Sequence, residues 1–515
     1  MWPWFAVAFL LLLALIGASL LLVNHLAPPA TGRPSHTLPL QAAQTDIDRE
    51  LSPLLAAHPG KTGTVVLTDG VDAYAARAVS ARKAGRSLDL QYFIWHNDLS
   101  GRMLASEVHA AAERGVRVRI LLDDMNAAGL DPHLLAMDAH PGIELRVYNP
   151  FRNRAGPGRA FELLRRLFSM NHRMHNKAWI ADGRVAVIGG RNIGERYFGA
   201  ATEVNFRDLD LLLLGPASGQ ASALFDRYWN SAAAVPIATL GAQAPEALRN
   251  LLDEVHRDAR SERARRYLDR VADSQLVRDY YQHALSPHWS VGIEVFADPP
   301  IKWRSDDREQ WLVGHLVPMI SAARSKVMVI SPYFVPGNDG AAMLAALTGR
   351  GVRVGVVTNS LAATDVYPVH SGYAGYRERL LLHGVDLYEL RSQVHAKEMP
   401  RVVRQGVSLH TKALVLDDAR GFVGSFNVDP RSKNLNTEMG VLFDDPVIAT
   451  QVRDEYLRLT SPAMSYWVYR NRQGELRWLD RTQPEPVEIE HEPDADWWMR
   501  AVAWASGWLP IESQL

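Results

Sequence analysis

Residues 174–192 read MHNKAWIADGRVAVIGGRN, and residues 409–427 read LHTKALVLDDARGFVGSFN. Each stretch carries a histidine, a lysine two places later and an aspartate five places after that: His175, Lys177 and Asp182, then His410, Lys412 and Asp417. In both, a glycine stands seven residues beyond the aspartate (Gly189, Gly424) and an asparagine three beyond the glycine (Asn192, Asn427). The apolar run between lysine and aspartate predicts that each His-x-Lys lies on a β-strand, where residues two apart share a face. The glycines are expected to let backbone approach a ligand closely.

The flanks repeat as well. Leu88–Trp95 (LDLQYFIW) reads as a strand, Met103–Arg114 as a helix, and Gly115–Asp124 and Ile143–Tyr148 as further strands. Val327–Phe334, Gly351–Val354 and Val385–Leu390 return in the same order. The period is too long for a solenoid and marks a fused duplication with pseudo-twofold symmetry. The order βαβαβ predicts the α/β class, each half a mixed, mostly parallel sheet flanked by helices. Four segments follow: an anchor and Pro-rich linker at 1–40, a first domain at 41–235, a helical connector at 236–305, and a second domain with a Trp-rich tail at 306–515.

Two histidines, two lysines and two asparagines suit phosphodiester chemistry. One imidazole attacks and the other protonates, while Lys177, Lys412, Asn192 and Asn427 match the equatorial oxygens of a pentacoordinate phosphorane. That arithmetic needs no metal and no cofactor. Each histidine needs a partner on its second ring nitrogen. Glu438, in Asn436-Thr437-Glu438, is the candidate for His410, and Asp208, in Phe206-Arg207-Asp208, for His175. Asp182 and Asp417 complete the candidate catalytic set, and their expected work is structural bonding near the domain interface. His395-Ala396-Lys397 also fits His-x-Lys, but Val402 stands where the aspartate should be, so it reads as a loop. His172 lacks the pattern too. His370 and Tyr373 are candidates either for pocket lining or for structural bonding.

Composition bounds the function. The formal net charge is -1, which gives no bulk pull toward nucleic acid. The absence of cysteine excludes disulfides, thiolate metal sites, a Cys nucleophile and a lipoprotein anchor. Phe5–Val23 is an uncharged run of 19 residues, about 28 Å as a helix, and predicts a membrane span. A cleaved signal peptide is the alternative, although the run is long for one and no Ala-x-Ala site follows. Pro28, Pro29, Pro34 and Pro39 stiffen the linker behind it. Glu246–His283 reads as a solvated helical connector. Arg152–Arg173, basic with interleaved Phe and Leu, and Trp497–Leu509, with four tryptophans, are each read two ways: as packed or solvated protein surface, or as a lipid-facing surface.

The doubled motif resembles the signature of the phospholipase D superfamily. Several strings look like the C branch of the bacterial cardiolipin synthases: QYFIWHNDLSGR, RMHNKAWIADG, GGRNIGERYFGA, TNSLAATDV and GSFNVDPRSKNLNTEMG. The resemblance covers nearly the whole chain after residue 40. It implies two phospholipase D-like domains with one active site at their interface, and ping-pong phosphatidyl transfer through a phosphohistidine. His175 would be the nucleophile and His410 the general acid and base. Phosphatidylglycerol would be one substrate, a second phosphatidylglycerol or phosphatidylethanolamine the other, and cardiolipin the product, with reversible exchange to glycerol or ethanolamine. A hydrolase releasing phosphatidic acid uses the same residues; the ratio of phosphatidic acid to cardiolipin separates the two. A nuclease is disfavoured by the charge and the apolar run, and a non-enzymatic scaffold by the two intact motifs. Both halves lie in one chain, so oligomerisation is not required to complete the site. The expected location is the bacterial inner membrane, through a single-pass anchor, with the catalytic body on the periplasmic side.

Overall fold

The computed structural model describes residues 32–41, 43–127, 131–151, 154, 171–242, 245–305, 307–393, 406–509 and 512–515. The apolar run Phe5–Val23, most of the basic segment Arg152–Arg173, and His395 lie outside them. Among the described residues, no helix is long and apolar enough to cross a membrane.

The first half contributes β1 (Thr62–Leu67), β2 (Ser87–Tyr92), β3 (Arg117–Asp123), β4 (Ile143–Tyr148), β5 (Ala178–Ala181), β6 (Val185–Gly189), β7 (Val204–Arg207), β8 (Asp210–Leu214) and β9 (Ala234–Pro236). Three helices, Pro245–Ala259, Glu262–Ala272 and Gln275–Tyr281, precede β10 (His288–Ser290). The second half contributes β11 (Ile293–Ala297), β12 (Lys326–Ile330), β13 (Arg353–Asn359), β14 (Asp386–Leu390), β15 (Gly406–Leu409), β16 (Ala413–Leu416), β17 (Arg420–Gly424), β18 (Met439–Asp444), β19 (Ser465–Arg470), β20 (Leu476–Asp480) and β21 (Val487–Ile489).

The strands make two sheets in the same order: β10-β1-β8-β6-β5-β2-β3-β4-β9 and β11-β18-β17-β16-β12-β13-β14-β19-β20-β21. From β1 and β11 through β9 and β19, each strand has its counterpart, so the duplication spans whole folding units. The expected mostly parallel sheet is corrected. Within these two sheets only β2–β3–β4 and β12–β13–β14 run parallel. The other pairs within these two sheets are antiparallel, and at β5–β6, β16–β17 and β19–β20 a short turn, not a helical crossover, joins the paired strands. At β5–β6 the turn is Asp182-Gly183, with φ of 54° and 67°, and Arg184 N–H closes it on Ala181 O at 3.0 Å. At β16–β17 the turn is Asp417-Asp418, both at φ 54°, closed by Ala419 N–H on Leu416 O at 3.1 Å. Two successive residues at positive φ match the twist of the flanking strands, and Asp-Gly is the favoured pair.

The helices read as a solvated connector carry an apolar face that packs on the first half. Leu251, Val255, Ala264, Tyr267 and Leu276 enter its core, against the helices Gly70–Lys83 and Leu99–Glu113. A second apolar cluster runs through both halves. Ile180, Ile188, Leu211 and Phe225 pack with Val295, Val423, Val441 and Phe443. Fully burying one such side chain contributes about 1.5–3 kcal/mol, so this seam holds the halves in register.

Candidate active site

The two motifs do not lie on strands as expected. His175 and Lys177 occupy the extended link just before β5, and His410 and Lys412 the link between β15 and β16. There the chain leaves the opposite half and joins its own sheet. Residues 173–175 pair with the second half: His175 N–H donates to Thr437 O at 2.9 Å, and Thr437 N–H to Arg173 O at 2.8 Å. Residues 406–409 pair in parallel with β7 of the first half, and His410 N–H donates to Arg207 O at 2.7 Å.

This pairing reverses the expected histidine partners. His175 Nδ1 lies 2.8 Å from Glu438 Oε2, and His410 Nδ1 lies 2.6 Å from Asp208 Oδ2. Each histidine is oriented by the carboxylate of the other half. The reason is local: Thr437 precedes Glu438 and Arg207 precedes Asp208, so each cross-half backbone bond sets the following carboxylate beside the incoming imidazole. Both Nδ1 atoms are taken, which leaves both Nε2 atoms for chemistry.

The carboxylates are themselves held. Glu438 accepts from Ser432 Oγ at 2.8 Å and from Ser425 Oγ at 2.5 Å. Its backbone N–H donates to Asp298 Oδ2 at 2.9 Å, and the fully buried Lys302 donates to the same oxygen at 2.9 Å. Asp208 accepts from Leu209 N–H at 2.8 Å. Asp298 and Lys302 were not singled out from the sequence; 140 residues separate Asp298 from Glu438, and no spacing rule links them. Nor were Phe93, edge-on to His175 at 5.1 Å, or Tyr197 and Phe206, each 5.1 Å from His410.

The glycines serve protein, not ligand. A Cβ on Gly190 would run into the Asp208 carboxylate, and one on Gly424 into Met439 O. Asn192 is already engaged, accepting from Ile94 N–H at 3.1 Å and donating to Tyr197 Oη at 3.0 Å, with one amide hydrogen left over. Asn427 Oδ1 is buried without a partner. Arg191 is structural, its guanidinium donating to Leu67 O at 2.9 Å and Thr68 O at 2.7 Å.

Asp182 and Asp417 sit at the far ends of β5 and β16 from the histidines, not at the reacting centre and not at the domain interface. Asp182 accepts the N–H groups of Gly85, Arg86 and Ser87 at 2.7–3.2 Å. Asp417 accepts those of Arg324, Ser325 and Lys326 at 2.7–3.2 Å. Each fastens the loop before β2 or β12 from within its hairpin turn. Burial pushes the Asp417 carboxyl up, but the three N–H donors outweigh it and hold it down at about 2. Asp182→Asn and Asp417→Asn are therefore expected to cost about 1–3 kcal/mol of stability with kcat nearly unchanged. Because Asp417 is depressed, its share of stability is complete above pH 4 and lost as pH falls toward 2. Urea unfolding beside initial rates checks both.

His172 is also structural: its Nδ1 is 2.9 Å from Leu435 O, and its ring stacks on Trp303. His370 lies 3.3 Å from Glu492 and 2.8 Å from Arg377, while Tyr373 donates to Glu389 at 3.1 Å; neither lines the site. Among the described residues, His109, Glu113 and His140 form the one group spaced for a cation. Its chemistry does not fit. His140 Nδ1 accepts Gly142 N–H at 3.0 Å, so Nε2 carries the proton that faces Glu113 at 3.0 Å; neither ring nitrogen has a free lone pair.

Four buried cations-to-be crowd the site. Burial lowers His175 to about 4, with Lys177 and Lys412 adding to the fall and Glu438 opposing it. Burial likewise lowers Lys177 to about 7 and Lys412 to about 8. His410 falls well below its usual value through burial and the same two lysines. Glu438, although buried, is held below the usual carboxylate value by His175, whereas burial raises Asp208. The site is thus short of negative charge, which suits an anionic phosphodiester. The unfolded chain binds lysine protons up to pH ~10.4 that the fold refuses above ~7. Stability therefore rises with pH across that window, and the penalty is complete below it. Lys177→Met is expected to raise Tm at pH 6, with the gain shrinking toward pH 9, and to remove activity; thermal unfolding at both pH values checks it.

The family model described as "Cardiolipin synthase, PLD-like domain" matches residues 80–229 and 316–460, more than half of the chain. The chain is 38% identical over 480 residues to cardiolipin synthase C of Escherichia coli (strain K12), covering 89% of this chain and 98% of that protein. It is 32% identical over 465 residues to an uncharacterized protein of Helicobacter pylori (strain J99), covering 88% and 90%. It is 27% identical over 398 residues to a cardiolipin synthase of Staphylococcus aureus (strain Mu50), covering 76% and 66%. In fold, it matches the phosphatidylserine synthase of Haemophilus influenzae Rd KW20 with a TM-score of 0.56 at 12% identity, covering 91% of this chain and 99% of that one.

Proposed function

Since the chain belongs to the cardiolipin synthase, PLD-like domain family, we propose that it is a phosphatidyltransferase that makes cardiolipin from phosphatidylglycerol and a second phospholipid, phosphatidylglycerol or phosphatidylethanolamine. The observation that carries this reading is the crosswise pair of buried histidine–carboxylate hydrogen bonds, which presents two free Nε2 atoms to one lysine-lined site. Arrival of the phosphodiester anion offsets the charges of Lys177 and Lys412, so both lysines stay protonated and His410 can take a proton.

His175 Nε2 attacks phosphorus, the bond from phosphorus to the headgroup oxygen breaks, and His410 supplies the proton that leaves with glycerol or ethanolamine. His410 then takes the hydroxyl proton of the acceptor phosphatidylglycerol. That oxygen attacks phosphorus, the P–N bond breaks, and cardiolipin departs with His175 regenerated. The ionised Glu438 favours His175 as nucleophile: it supports positive charge on that ring as the P–N bond forms. The two lysines and the spare amide hydrogen of Asn192 hold the equatorial oxygens, and Asn427 is placed to assist.

Transfer is favoured over hydrolysis by burial. His175 and His410 are only 8% and 6% exposed, with Phe93, Tyr197 and Phe206 against their rings. A buried, partly aromatic setting of this kind disfavours water at the phosphohistidine. The apolar run at 5–23 is long enough for a single-pass anchor in the bacterial inner membrane, and our reading puts the catalytic body on the periplasmic side. Lipid analysis of a cardiolipin-free host complemented with this chain tests the function: cardiolipin should reappear, and phosphatidic acid alone would favour the hydrolase. A C-terminal reporter active only in the cytoplasm should stay silent, and activity would overturn the orientation.

A further inference from the structure

We propose that the tryptophan face of the helix Trp497–Ser506 seats on a phospholipid bilayer and presents the catalytic end of the fold to it. The proposal rests on the lipid-acting reading above for its purpose, and on the following geometry for its place.

The helix is well formed. Asp496 caps it by accepting Met499 N–H at 2.7 Å, and Gly507 N–H closes it on Ala503 O at 3.1 Å. Its inner side, Met499, Val502, Ala503 and Ser506, is half-buried, and the helix packs on the helix Tyr367–Ala374. Its outer side is apolar, the reverse of a solvated helix. At about 100° per residue, Trp497, Ala501, Trp504 and Trp508 fall in a stripe roughly 60° wide, with Ala505, Trp498 and Leu509 widening it on one side. Trp497, Trp504 and Trp508 are 72%, 69% and 74% exposed, and nothing in the described chain covers them.

The residue types select the occupant. Tryptophan, with an apolar body and an N–H, suits the headgroup level of a bilayer. Between Trp497 and Ile511 the only charge is Arg500, which borders the stripe, and there is no carboxylate. A lone cation beside an aromatic face complements anionic lipid phosphate.

Both flanks fasten the helix to the second half, and the rear flank reaches chain that leads into the site. Ahead of it, Glu492 accepts from Arg377 at 2.6 Å. Behind it, Glu512 accepts from Tyr376 Oη, and Leu515 O accepts Arg431 N–H at 2.7 Å. Gln514 O accepts from the Arg431 guanidinium, which also reaches Asn171 O. Arg431 lies four residues after Asn427 and Asn171 four before His175. A bilayer touching the stripe is therefore tied, through Arg431 and Asn171, to the two stretches of chain that carry Asn427 and His175.

The chain has no cysteine, so Ala505→Cys gives a single attachment point that keeps every tryptophan. The full chain, labelled there with an environment-sensitive nitrobenzoxadiazole and reconstituted in phosphatidylglycerol–phosphatidylethanolamine vesicles, should shift to the blue and be quenched by bromines on the lipid chains. The same label at Gln282→Cys, exposed beyond the helix Gln275–Tyr281, should keep its aqueous spectrum. In a second arm, Trp497→Ser, Trp504→Ser and Trp508→Ser together should slow turnover of bilayer lipid at least about tenfold and spare micellar short-chain phosphatidylglycerol, because the loss is one of placement. An unshifted, unquenched label at 505 in vesicles where cardiolipin is made would overturn the docking face and leave the activity standing. A blue shift that needs no lipid and ignores the bromines would mean a second copy covers the face, and would overturn it equally. Lipid-dependent quenching without any lipid turnover would uphold the docking face and count against the enzymatic reading alone.

Discussion

His175→Ala and His410→Ala should each lower cardiolipin formation by about 10⁴-fold or more. The first removes the atom that becomes bonded to phosphorus. The second removes the proton donor for the leaving headgroup and the base for the incoming hydroxyl. Neither loss should come from unfolding. The backbone N–H bonds of both histidines across the seam are independent of the side chain, so Tm should stay within a few degrees. The two variants should also fail to restore each other when mixed. Both motifs lie in one chain, clasped by the β7–β15 pairing and by the Arg173–Thr437 bonds. Recovery on mixing would mean that the site is built between chains. Initial rates on vesicles, with the variants alone and mixed, read both expectations.

Glu438→Gln and Asp208→Asn should each cost about 10²–10⁴ in kcat with KM little changed, since an amide neither fixes the tautomer nor supports the imidazolium. The crosswise pairing makes the pattern specific. Glu438 raises the affinity of His175 for its proton, so Glu438→Gln should drive His175 below its value of about 4 and leave His410 untouched. Asp208→Asn should disturb His410 alone. Nuclear magnetic resonance titration of the two imidazoles distinguishes this from pairing within each half, which would exchange the effects.

Most of what identifies the site was legible in the sequence, because it is encoded locally. The doubled His-x-Lys, the carboxylates Asp208 and Glu438 and the repeat of strands depend on spacing and apolar alternation. Three features were not legible, because each depends on which chain segments meet in the fold and not on spacing. Which carboxylate serves which histidine depends on Thr437 and Arg207 pairing across the seam, 263 and 202 residues in sequence separating the bonded groups. The role of Gly190 depends on the closeness of Asp208. The support of Glu438 by Asp298 and Lys302 crosses a similar distance. The antiparallel majority and the true work of Asp182 do carry a local signal. Asp182-Gly183 and Asp417-Asp418 are turn dipeptides, and reading them as hairpins turns β5–β6 and β16–β17 antiparallel and moves both aspartates off the reacting centre.

One site, shared by the two halves, is expected to move a phosphatidyl group from one lipid to another through His175. The most direct measurement incubates the purified full chain in vesicles with phosphatidylglycerol labelled in its headgroup and, separately, in its acyl chains. Cardiolipin should form in step with free glycerol, and none should form with His175→Ala or His410→Ala. Phosphatidic acid as the sole product with every pairing of lipids, or undiminished cardiolipin from either variant, would contradict it.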